Sequence, residues 1–178
     1  MAAPSNIVLL GFMGAGKSTV GKELAKKLSW KLVDLDERIE KAAGRSVGEI
    51  FDKEGETGFR AKETAALRAV VKEAAKSPGI VLSTGGGVVT KEENWPLLKE
   101  TGSTVYLSAE VSTILARVKN SDVRRPLLET PDPEAAARLR LRERLPLYSR
   151  ASMTIVTDGK TPEAIAGEIL DRLKISAS

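Results

Sequence analysis

The sequence predicts an α/β fold: a three-layer sandwich with a five-stranded parallel sheet, in one domain over residues 1–178. Three observations carry this. Five short apolar runs recur along the chain, helical patterns separate them, and the first run enters an amphipathic helix through a glycine-rich turn. The length of 178 residues suits one domain, since domains average roughly 150 residues.

The first strand is predicted at Ile7–Leu10, and the helix after it at Ser18–Leu28, with Val20, Leu24 and Leu28 on one face. A second strand falls at Lys31–Val33. The stretch Asp36–Gly58 then breaks the alternation with short helical pieces and several glycines. Apolar residues at helical spacing, Leu67, Val70 and Val71 among them, predict a helix over Phe59–Ala75. Strand Ile80–Leu82 is followed by a shorter helix at Lys91–Glu100. Strand Thr104–Leu107 leads to a helix at Val111–Val118, with Ser108 as its expected cap. The polar segment 119–132 holds Pro126 and Pro131 and reads as a loop. A helix at Pro133–Ser149 begins with proline, strand Met153–Val156 follows, and Thr161 caps a last helix at Pro162–Leu173.

Composition narrows the chemistry. The chain has no His and no Cys, so a Ser-His-Asp triad, a Cys nucleophile and a zinc site of imidazole or thiolate are all excluded. Carboxylates, Lys, Arg, hydroxyls, backbone dipoles and a hard cation remain. No secretory signal opens the chain, and no apolar run approaches the roughly 20 residues of a membrane helix. The expectation is a cytoplasmic protein; a trimmed plastid form would read the same. The net charge is +4. Between Arg117 and Arg150 nine basic residues face five acidic ones, an excess equal to that of the whole chain.

Residues Gly11–Ser18, GFMGAGKS, match the pattern Gly, four residues, Gly-Lys-Ser, between an apolar run and a helix. This is the P-loop. Its backbone N–H groups, from Gly14, Ala15 and Gly16 into Lys17, Ser18 and Thr19, converge on phosphate oxygens. Lys17 brings a cation to the β- and γ-phosphates, and the Ser18 hydroxyl suits magnesium. ATP and Mg2+ are the expected cofactors. The motif alone does not separate GTPases, ATPases and small-molecule kinases. A later strand lacks the usual terminal Asp, and Ser83-Thr84 stands there instead.

The choice among these classes depends on the acceptor side of the site. Asp34 and Asp36, two apart at the end of the second strand, would share a side if the segment is extended. One could serve magnesium through water and the other take a hydroxyl proton; a helix N-cap would explain Asp36 alone but not both aspartates. Gly85-Gly86-Gly87 comes directly after the third strand, as a flexible turn or as a close backbone approach to a ligand. Arg60 and Glu63, three apart on a helix, read in isolation as a solvated ion pair. Arg125 in the polar loop and Arg144 on a basic helix read singly as surface charges.

Taken together, GFMGAGKST, VDLD, GFRAKE, STGGG, RRPLL and RLPLYSRAS resemble the shikimate kinase family, in the family's order and over nearly the whole chain. The resemblance implies a P-loop kinase-like fold of the nucleoside monophosphate kinase type. An acceptor-binding insertion would span 35–63 and a mobile lid 119–132. It also implies phosphorylation of the 3-hydroxyl of shikimate by ATP, in the pathway to aromatic amino acids, by a monomer. In that assignment Lys17, Asp36 and Arg125 are catalytic, with Asp36 the base and Arg125 reaching the transferring phosphate. Asp36, Arg60, Gly85, Gly86, Gly87 and Arg144 bind shikimate, the two arginines at its carboxylate, and Glu63 holds an arginine. Ser18 and Asp34 serve the metal, and Arg117 and Pro162 lie at the adenine.

Two rival readings are a P-loop kinase for gluconate or a nucleoside monophosphate, and a non-catalytic relative that binds a partner. Nucleic acid is not an expected partner: aromatics make up 4% of the chain, and only Tyr148 interrupts the arginine run. No membrane association is expected either.

Overall fold

The computed structural model describes residues 5–120 and 126–176. Its five strands are β1 (Asn6–Leu10), β2 (Lys31–Asp34), β3 (Ile80–Ser83), β4 (Ser103–Ser108) and β5 (Met153–Val156). They form one sheet in the order β2-β3-β1-β4-β5, every pairing parallel. The register sets Ile7 beside Val81 and Ser103, with β1 at the centre. The predicted fold class is what forms.

The central strands carry apolar residues toward both faces because both are covered. Ile7 and Leu9 point to one side, where α1 (Lys17–Leu28) and α7 (Pro162–Leu173) bring Val20, Leu24, Ile165 and Ile169. Val8 and Leu10 point to the other side. There α2 (Leu35–Ala43), α3 (Val47–Lys76) and α4 (Asn94–Thr101) bring Ile39, Leu67, Val70, Trp95 and Leu98. A third cluster joins α5 (Val111–Lys119) and α6 (Pro133–Tyr148) to the P-loop through Phe12, Ile114, Leu128 and Ala137.

The stretch that broke the alternation is helical. It comprises α2 and the first part of α3, so the helix expected from Phe59 begins twelve residues earlier, at Val47. The sequence hid this because α3 is broken at Gly55 (φ 67, ψ −175), a conformation open mainly to glycine. The break separates Val47 and Phe51 from Phe59 and Arg60 and lets both parts bend toward one recess. The expected Ser108 cap of α5 is also replaced. The helix starts after Glu110 without a side-chain cap of its own, and Asp158, from the turn after β5, accepts from the Glu110 N–H at 3.1 Å. The cap came from a segment distant in sequence. Thr161 caps α7 as predicted, accepting from the Ala164 N–H at 3.2 Å.

The start of α3 carries a capping box: Ser46 Oγ accepts from the Glu49 N–H, and Glu49 accepts from the Ser46 N–H at 2.8 Å. Ser46→Ala should lower stability by about 1 kcal/mol. Urea denaturation measures the loss, which would appear as a lower midpoint at unchanged slope.

Candidate active site

Gly16 stands at the N-cap of α1 in left-handed backbone (φ 96) and supplies no side-chain cap. The first N–H groups of the helix are thereby left for an anion. Lys17 is buried, and its Nζ donates at 2.9 Å to the carbonyl oxygens of both Gly11 and Phe12, across the loop it serves. Thr19 Oγ1 donates back to the Gly16 carbonyl. Ser18 Oγ donates to Asp34 Oδ2 at 3.0 Å and lies 3.4 Å from Ser83 Oγ. Ser83 therefore occupies the strand end where the sequence showed no Asp.

These groups line a cleft of about 740 Å³ that takes in Gly14 to Thr19, Asp34, Asp36, Ser83, Gly85, Gly86, Arg117 and Pro162. Arg117 crosses its far end. Its Nη1 donates at 3.3 Å to the carbonyls of Gly14 and Ala15 and to Thr157 Oγ1, tying the P-loop to the turn after β5. Pro162 opens α7 on the same wall.

The two aspartates divide the work differently from the sequence expectation. Asp34, in extended backbone, is the N-cap of α2: its Oδ1 accepts from the N–H of Asp36 at 3.0 Å and of Glu37 at 3.4 Å. Asp36 is not the cap and not part of an extended segment, since it already belongs to the first turn of α2. Both nevertheless reach the cleft, because the helix starts at the strand end.

Beside the cleft, and sharing Met13, Asp36, Gly85 and Gly86 with it, lies a smaller recess. Val47, Phe51, Phe59, Arg60, Gly87, Leu127 and Arg144 complete its lining. Arg60 and Glu63 are here a buried pair, Nη1 to Oε2 at 2.7 Å with side chains 8% and 0% exposed. The solvated-pair reading is thus corrected: the helix turns this face inward. Burial works against the charge on Arg60, but Glu63 and Glu56 outweigh it and raise its pKa. Burial pushes the Glu63 carboxyl up against the pull of Arg60, and the negative charge of Asp36 adds to the push. Among the described residues none donates a hydrogen bond to Glu63 Oε1. One turn on, Thr64 Oγ1 donates to Asn94 Oδ1 and Asn94 Nδ2 to the Val88 carbonyl, locking α3 to the segment after the glycines.

The triple glycine is a close approach and not a flexible turn. A Cβ at Gly85 would meet Glu63 Oε1 at 2.6 Å and Asp36 Oδ1 at 3.1 Å. One at Gly86 would meet the Met13 N–H nitrogen at 3.1 Å, and one at Gly87 would collide with the Arg60 guanidinium. Arg144, 5% exposed, donates to the Gly86 carbonyl at 3.3 Å and lies over the Phe12 ring, 5.6 Å from its centroid.

Lys17, Ser18, Asp34, Asp36, Arg60, Glu63, the three glycines, Arg117, Arg144 and Pro162 are therefore brought to one edge of the sheet. Arg125 lies outside the described residues, as does part of the lid expected at 119–132. Sequence reasoning missed the apolar wall of Met13, Val47, Phe51, Phe59 and Leu127. Phe59 beside Arg60 was its one visible sign.

A family model described as "Shikimate kinase" matches residues 13–174. A shikimate kinase of Synechococcus sp. is 44% identical over 168 residues, 94% of this chain and 82% of that one. One of Halorhodospira halophila is 45% identical over 172 residues, covering 96% of this chain and 94% of its own. The solved structure of shikimate kinase from Acinetobacter baumannii in complex with shikimate superposes with a TM-score of 0.87 at 40% identity. It covers 95% of this chain and 92% of that one.

Gly87→Ala should drive Arg60 out of the recess. Calorimetry is expected to show binding of a small hydroxy-carboxylate weakened by about tenfold or more, the loss expected of a charged hydrogen bond, with ADP binding kept.

Proposed function

This chain belongs to the shikimate kinase family, and from that premise we infer that it transfers the γ-phosphoryl group of ATP to the 3-hydroxyl of shikimate. The products are shikimate 3-phosphate and ADP, in the pathway to aromatic amino acids. The carrying observation is the meeting of Asp36, Arg60, Arg144 and Gly85–Gly87 in a recess that shares a wall with the phosphate cleft.

The division of labour follows from the chemistry of the two ligands. Shikimate is a carboxylate with vicinal hydroxyls, so Arg60 and Arg144 take its carboxylate through planar forks and the backbone of Gly85–Gly87 faces its ring. Phe51, Phe59 and Val47 supply the apolar wall. Asp36 lies where recess and cleft join and withdraws the proton of the 3-hydroxyl as the oxygen attacks phosphorus. The P-loop N–H groups and Lys17 hold the β- and γ-phosphates, and Arg117 and Pro162 flank the base. Arg125 is assigned to the transferring phosphate on the family resemblance alone. A cation there is worth about 10³–10⁵ in rate against roughly 10²–10⁴ for a base, so the cations should matter at least as much as Asp36.

Magnesium fits the donor set. Ser18 and Asp34, already 3.0 Å apart, offer hard oxygens, and Ser83 stands beside them. Among the described residues no group of three or more acidic side chains forms a metal cage, as expected of an ion held by one or two protein oxygens, water and substrate phosphates. When bound, the ion supplies positive charge to the phosphate oxygens. We take the enzyme to be a monomer, in which one chain supplies every assigned residue. Among the described residues no helix is long and apolar enough to cross a membrane.

A coupled assay of ADP release over a panel of hydroxy-acids tests the function. Release should depend on shikimate, and equal release with gluconate or a nucleoside monophosphate would refute the assignment. Asp36→Asn should cut turnover by roughly 10²–10⁴-fold with ATP binding retained, and near-normal turnover would remove its role. Arg60→Ala should raise the KM for shikimate far more than that for ATP.

A further inference from the structure

Gly86 presents one carbonyl oxygen that serves two side chains of α6. The Tyr148 hydroxyl donates to it, and so does Arg144 Nη1, from one helical turn earlier. Tyr148 is wholly buried, and its ring is stacked on Tyr106 of β4 with centroids 4.7 Å apart and planes 6° from parallel. Tyr106 in turn pairs in register with Leu10, the last residue before the P-loop. Tyr148 is therefore fixed by the sheet, and its hydroxyl reaches a fixed point in space. Arg144 rests on the Phe12 ring and donates at its tip to that same carbonyl, with the Tyr148 hydroxyl as a direct neighbour.

We propose that Tyr148 is a positioning residue for the acceptor, whose hydroxyl, through the Gly86 carbonyl, sets the angle at which Arg144 meets a carboxylate. The inference rests on the reading of the recess as the shikimate site. A carbonyl oxygen has two lone pairs, and Tyr148 and Arg144 take one each. With the hydroxyl gone, the half-buried Gly86 carbonyl keeps one donor and loses the anchor that fixes its tilt. The guanidinium follows the carbonyl, and a two-bond fork loses its alignment with small rotations. Burial pushes the Tyr148 hydroxyl above its ordinary pKa, so it remains a donor across the working pH range. None of these contacts reaches the far end of the cleft at Arg117 and Pro162, so the effect of Tyr148 belongs to the acceptor.

Tyr148→Phe keeps the ring, the stacking and the packing. It is expected to raise the KM for shikimate by about five- to tenfold, the loss of one neutral hydrogen bond, with kcat and the KM for ATP within about twofold of wild type. In an Arg144→Lys background, which has no fork to align, the same change should add nothing further. Tyr106→Phe, which leaves the Gly86 carbonyl its two donors, should leave the KM for shikimate unchanged. A rise in both Michaelis constants alike, independent effects of the Tyr148 and Arg144 changes, or no change at all in Tyr148→Phe would overturn the proposal. A crystal structure of Tyr148→Phe needs no acceptor. Arg144 should be rotated away from its wild-type position, and an unmoved guanidinium would refute the positioning role even if wild type proves to be a shikimate kinase. Failure of the wild-type enzyme to release ADP with shikimate would instead refute the function assigned to the recess.

Discussion

Three separate groups need the same small space beside Gly85, Gly86 and Gly87, and only bare backbone leaves room for all of them. The carboxylates of Glu63 and Asp36 press on the first glycine, the P-loop backbone on the second and the Arg60 guanidinium on the third. These contacts join the ends of β1, β2 and β3 with α3, so the acceptor recess and the phosphate cleft have a common wall. Direct transfer of a phosphoryl group requires this, because the attacking oxygen must sit in line with the leaving one and within near-attack distance. A methyl group at Gly86 would push the recess and the P-loop apart, and one at Gly85 or Gly87 would displace the charged side chains of the recess.

The same crowding explains why charge is buried here. Taking Arg60 and Glu63 out of water costs several kcal/mol per ion in general, and an apolar pair of equal volume is often as stable or more so. Stability therefore gives no reason for the pair. The proposed role of Arg60 at the acceptor carboxylate gives one: an arginine held on one side by Glu63 and on the other by Glu56 has lost most of its freedom before a ligand arrives. The ordering that would otherwise oppose binding is already done. Thr64, Asn94 and the Val88 carbonyl extend this restraint into the backbone behind the glycines.

The fold was legible because its signals are local. Strand runs buried on both faces, and Pro162 after Thr161, announce themselves within a few residues. So did the P-loop, where motif and context coincide. What was not legible depended on partners distant in sequence. The cap of α5 is Asp158, nearly fifty residues on. The inward turn of Arg60 depends on a kink at Gly55 that a periodicity count reads as a helix end. Asp34 and Asp36 could not be told apart by their spacing alone, because that choice turns on where β2 stops and α2 begins, a shift of one or two residues. The three glycines became interpretable only once their neighbours were known.

The location of the positive charge follows from the same logic. A surface that binds nucleic acid keeps its cations together on one face, where phosphates can displace counterions. Here the basic segment is divided. Arg117 lies over the P-loop and Arg144 over Phe12 beside the recess, both facing the site. Arg138 pairs with Glu134. Arg150 pairs with Glu92 through two nitrogens and covers the Trp95 ring, 4.3 Å from its centroid, which holds the end of α6 against α4. Four cations from one stretch of sequence thus face in different directions, two toward the cleft and the recess and two into ion pairs of the scaffold. A helix can do this because successive residues differ by about 100° around its axis. Arg117 on α5 and Arg144 on α6 thus bring their charge to the cleft and the recess, while Arg138 and Arg150 are neutralised in ion pairs that serve the scaffold.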